Sequence, residues 1–163
     1  MKLSKIIKAI NNLIRQGISE SDLFKDYFNG NPIKASDVSE PLERPSIKIN
    51  IEDCDTEKIG LCRARNPTVR IYFFAKDREK YRIDNINMQE LIEETLLDGL
   101  YVTEDFYIYI DEITSTVTDT VLVCSFNLET LEEIDYDLNL EPLQELNLTL
   151  NNCDLTEKEE SEE

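Results

Sequence analysis

Leu3, Ile6, Ile7, Ile10, Leu13 and Ile14 recur at spacings of three and four, which puts them on one side of a 3.6-residue period and predicts an amphipathic opening helix. Lys2, Lys5, Lys8 and Arg15 take the other side, and Gly17 is the expected terminator. In "SESDLFKDYFNGNP", Ser19 or Ser21 offers a cap for a short helical turn with Leu23, Phe24, Tyr27 and Phe28, before an Asn-Gly stop. The period then changes to two. Pro41 and Pro45 exclude a regular central strand around them, so a short edge strand is expected before Ile47, Ile49 and Ile51, which alternate with Lys48 and Asn50. "DCDTEKIGLCRARNP" is polar and reads as a loop or a loosely paired strand extension. "TVRIYFFA" sets Val69, Ile71 and Phe73 on one face and Arg70, Tyr72 and Phe74 on the other; bulk on both faces predicts a central strand or one covered by a partner.

A second helix is expected over roughly 86 to 98, with Met88, Leu91, Ile92, Thr95 and Leu96 on one stripe, Asp84 or Asn85 as cap and Gly99 as terminator. "EDFYIYIDEI" and "DTVLVCSFNLET" read as the strands of a long hairpin bridged by "TSTVTD". Beyond Leu131 acids alternate with leucines; Leu146, Leu148 and Leu150 fit a short terminal strand, and "EKEESEE" is too charged to fold. The expected fold class is α+β: two helices packed on one face of a mainly antiparallel sheet with a long hairpin. One domain over 1–150 and an acidic, disordered tail over 151–163 follow.

Composition narrows the chemistry. The chain has 163 residues, no histidine and a formal net charge of -18. Residues 104–163 hold eighteen acids against one lysine, a distribution that repels phosphate and argues against sequence-specific nucleic-acid binding. No apolar run approaches the roughly 18 residues of a spanning helix, and the lysines spread through "MKLSKIIKAINNLIRQ" are unlike a secretion signal, so synthesis in the cytoplasm is expected. Cys54, Cys62, Cys124 and Cys153 form no C-x-x-C pair, and free thiols are expected. Asp53, Asp55 and Glu57 imitate a calcium loop for three positions, but Gly60 and Asp111 or Glu112 do not complete it. With four glycines in the chain, phosphate-cradling loops have no sequence basis. No catalytic residue, cofactor or metal is therefore expected.

What remains is charge arranged for contact. Arg63, Arg65 and Arg70 precede or enter the central strand; Lys76, Arg78, Lys80 and Arg82 follow it; carboxylates including Asp111 and Glu112 fill the hairpin and what comes after. In a single copy these are solvated faces. In a ring, basic loops of one subunit would meet the acidic hairpin of the next, making Arg63, Arg65, Arg70, Lys76, Arg78, Asp111 and Glu112 the interface candidates.

The opening "IIKAINNLI", the "RPSIKI" strand, the strand "RIYFF" ending in a charged "KDR" turn, "NMQELIEETL" and "YIYIDEITSTVTDTVLVCSFNL" together resemble the tail terminator, or tail completion, proteins of long-tailed bacteriophages and tail-like bacteriocins. The small variety of Gram-positive phages is most similar, over roughly residues 1 to 135. The resemblance implies a helix-and-sheet subunit that assembles as a homo-hexameric ring on the last ring of tail-tube protein, halts tube growth and presents a surface to the head-tail connector, with contact to the sheath in contractile systems. It implies assembly in the host cytoplasm and a final place in the virion tail or tail-like particle, with no membrane partner. The acidic C-terminal extension departs from the family pattern. The alternative is a small acidic inhibitor or immunity-type protein that masks a basic partner, and an enzyme comes third.

Overall fold

Residues 2–34 and 43–134 are described by the computed structural model. The elements run α1 (Leu3–Glu20), β1 (Ser46–Ile59), β2 (Cys62–Phe74), α2 (Tyr81–Leu96), β3 (Leu100–Thr103), β4 (Phe106–Ile108), β5 (Thr114–Thr118), β6 (Val121–Asn127) and β7 (Thr130–Glu133). One antiparallel sheet has the order β1-β2-β6-β5, with β7 also beside β2; β3 and β4 form a separate pair. Two helices and an antiparallel sheet make this the expected α+β class.

The alternation of "IKINI" and "TVRIYFF" fixes which face is buried. Register aligns Ile47 with Phe73 and Leu122, Ile49 with Ile71 and Cys124, and Val69 with Phe126, and all of these are buried. This inner face is covered by Ile6, Ile10, Ile14 and Ile18 of α1 and by Met88, Leu91, Ile92 and Leu96 of α2. Phe24, Tyr27 and Phe28 of the turn after α1 surround Phe73, with ring centroids 6.2, 6.2 and 6.3 Å away. β2 is central, as its two bulky faces predict: β1 lies on one side, β6 and β7 on the other.

Several boundaries differ from expectation. α1 does not stop at Gly17 but continues to Glu20. A methyl group on Gly17 would stand 2.6 Å from Thr95 Oγ1, so the glycine lets α1 and α2 approach and serves packing rather than termination. α2 begins already at Tyr81, without a side-chain cap; Asp84 lies in its first turn and Asn85 is buried. Gly99, at φ 89°, does close the helix, its N–H donating to Leu96 O at 2.8 Å.

The long hairpin is built from other strands than expected. Phe106–Ile108 pairs with β3, and "TSTVT" is itself strand β5, joined to β6 through Asp119 and Thr120 at φ 50° and 73°. Such a two-residue turn normally selects Asn or Gly. Here Arg44 Nη2 donates to Thr120 Oγ1 and Asn85 Nδ2 to Thr120 O, both at 3.4 Å, which holds the turn from outside. β1 and β2 form the long hairpin instead, paired through the polar segment down to Ile59 and Cys62. Of the edge element expected before β1, the described residues show a parallel bridge between Ile33 and Ile47, and 35–42 lie outside them. The strand expected at 146–150, the domain limit at 150 and the tail lie outside the described residues.

Candidate functional site

The outer half of the β1–β2 hairpin owes its character to one residue. Register slips between Ile51 and Asp53, leaving Glu52 as the extra residue of a bulge. Because side chains alternate, one extra residue exchanges the two faces of everything beyond it. Before the bulge the odd-numbered residues of β1 face the helices; after it Asp53, Asp55, Glu57 and Ile59 face outward, beside Thr68, Asn66, Ala64 and Cys62. β2 has no bulge, so Arg63 and Arg65 stay on the helix side with Val69 and Ile71. One arm therefore carries acids on its outer face and cations on its inner face. The three acids that imitate a calcium loop are thus an extended row on a strand.

Pro67 sets the neighbouring strand. Lacking an N–H, it gives β2 only a carbonyl there, which accepts from Leu128 N at 3.0 Å. The partner chain breaks at this point into β6 and β7, and Thr130 Oγ1 rejoins by donating to Arg65 O at 3.1 Å. The break delivers Glu132 to the inner face, 3.3 Å from Arg65 and 3.7 Å from Arg63. Side chains of Arg65 and Glu132 are 17% and 11% exposed, so this pair is mostly removed from water.

The seven candidates do not converge on one site. Arg63 and Arg65 line a cleft of about 790 Å³ with Lys2, Leu3, Ser4 and Lys5 at the start of α1. Arg70 stands on the outer face, where it and Tyr72 Oη both donate to Glu52. Lys76 and Arg78 lie in the exposed loop beyond the opposite end of β2. Asp111 and Glu112 line a fourth region, a cleft of about 540 Å³ shared with Tyr109, Thr68, Asn127 and Glu129. Sequence reasoning missed Glu52 and Glu132 as partners; the i, i+2 spacing of Asp53, Asp55 and Glu57 was the one available hint of a charged strand face. Cys54, Cys62 and Cys124 are free thiols. No helix of the described residues is long and apolar enough to cross a membrane.

The loop at Lys76 is anchored by Tyr27, whose hydroxyl donates to Asp84 and accepts from Lys76 N at 2.9 Å. Burial, then the hydrogen bond to Asp84, push the phenol pKa well above its ordinary value. A folded-state pKa raised in this way adds stability that is complete below about pH 10 and lost as pH rises beyond it. Alkaline titration followed by tyrosinate absorbance should show one of the seven tyrosines ionising only with unfolding. Tyr27→Phe should remove that late step and cost about 1–2 kcal/mol.

Residues 5–138 match the family described as phage tail terminator protein. The chain belongs to the phage tail terminator family. Membership over that span makes it a structural protein of the tail. Among solved structures, a chain titled "Virion of native gene transfer agent (GTA) particle" is similar at 9% identity and a TM-score of 0.45, covering 76% of this chain and 93% of that one. No match was found among curated proteins.

Proposed function

We propose that this tail terminator closes as a sixfold ring on the last ring of tail-tube protein, ends tube growth there and offers its far side to the head-tail connector. In a contractile tail the end of the sheath is a further neighbour. Family membership over residues 5–138 is the observation that carries this reading. It also favours a tail role over the acidic inhibitor. The work is contact rather than catalysis, with no cofactor, carried out in the host cytoplasm and finishing in the virion tail or tail-like particle.

Charge supports the assignment of contacts. Lys76 and Arg78 are exposed at one end of β2, whereas the arm and its clefts lie towards the other. Opposite ends of one subunit are thereby available for different neighbours. Leaving the chain out of tail assembly should give overlong tubes and headless tails by electron microscopy; tails of ordinary length bearing heads would sink the capping reading. Lys76→Glu with Arg78→Glu should alter stability by less than about 1 kcal/mol, since both charges are exposed. The same double variant should reproduce the overlong tubes if this loop meets the tube, and the melting temperature read alongside separates contact from folding.

A further inference from the structure

The outer face of the arm combines charge with exposed apolar surface. Ile59, Leu61 and Leu131 are 54%, 66% and 60% exposed. Register sets Ile59 opposite Cys62 and Ala64 between Glu57 and Leu131, so the apolar side chains form a patch across three strands with Asp53, Asp55, Glu57 and Glu133 around it. An apolar centre with a charged rim is the anatomy of a protein interface rather than of a solvated sheet face.

The same chain holds a complementary surface. The cleft on the other side of the arm is lined by Lys2, Leu3, Ser4, Lys5, Arg63 and Arg65; among the described residues no carboxylate lines it, Glu132 being paired with the two arginines, so Lys2 and Lys5 are the cations it offers. Here α1 begins without a side-chain cap and without an acid in its first turn, while Lys2 and Lys5 add positive charge to the positive end of the helix dipole. An incoming carboxylate would relieve both conditions, and Leu3 supplies apolar floor among the cations.

We propose that the outer face of one arm docks into the α1-side cleft of a second copy, setting Asp53, Asp55 and Glu57 against Lys2 and Lys5 and burying Ile59 and Leu131. Two different faces of one chain meet in this contact, so each copy gives one and receives one, and repetition closes a ring when the rotation between neighbours returns to its start. The inference rests on the ring reading above and assigns the surfaces that would make it.

Isotope-labelled and unlabelled full chains, mixed at high concentration and treated with a zero-length carbodiimide, provide the test. Mixed-isotope links should join Lys2 or Lys5 to Asp53, Asp55 or Glu57. Asp55→Lys with Glu57→Lys should reduce those associations about tenfold, Lys2→Glu with Lys5→Glu likewise, and mixing the two variants should restore them, as expected for complementary charges. Inter-copy links that map elsewhere overturn the docking and leave the ring reading standing. A chain that forms no multimer here or in purified tails overturns both.

Discussion

Phe73→Ala should lower folding stability by about 3–5 kcal/mol, the range for removing a large buried aromatic side chain. Phe73 is fully buried on the inner face of the central strand, between Ile47 and Leu122 in register. Its ring also faces Phe24, Tyr27 and Phe28 of the turn after α1. Truncation would open a cavity beneath all three rings at once, and neighbours held in paired strands have little freedom to fill it. Urea unfolding should show a lower midpoint with unchanged slope, which marks lost stability rather than a changed unfolded state. Phe73→Leu, which leaves less space empty, should cost clearly less. A loss below about 1 kcal/mol for the alanine variant would mean that the aromatic turn does not depend on the sheet for its seat.

That central strand was legible because its information is local. Alternation in "IKINI" and "TVRIYFF" gave the buried face, and isoleucines four apart gave the buried side of α1. Non-local determinants were not legible. Gly17 looks like a terminator in sequence and becomes a contact glycine only because Thr95, far along the chain, lies across from it. "TSTVTD" lacks the usual turn residues, and its turn depends on Arg44 and Asn85 from elsewhere.

The candidate surfaces divide in the same way. Basic residues flanking the central strand could be picked out by type, but that Asp53, Asp55 and Glu57 of β1 face the side opposite Arg63 and Arg65 depends on the bulge at Glu52, which no pattern marks. Beyond Leu131 the sequence shows only acids alternating with leucines, yet Thr130–Glu133 pairs with the far end of β2. Charge totals alone therefore cast Arg63 and Arg65 as free contact residues, whereas the fold gives them Glu132 as a partner.

That partnership should make Arg65 a residue of stability as well as of surface. Removing one member of a mostly buried ion pair takes a partner from a charge held largely away from water, and Arg65→Gln or Glu132→Gln should each cost about 2–3 kcal/mol, below the 3–5 typical of a fully buried pair. The discount reflects the 17% and 11% exposure that the two side chains retain. Arg63 at 3.7 Å softens the loss of Arg65 and, at 36% exposure, keeps its contact with water when Glu132 is neutralised. Combining the two changes removes both charges, so the double variant should lose less than the sum of the singles, by about 1 kcal/mol or more. Additive losses would show that the pair contributes no coupling and that the two side chains matter only through their packing. In assembly assays these variants must be read beside their melting curves, because a folding defect in β7 would also displace Leu131 and Glu133 from the outer face of the arm.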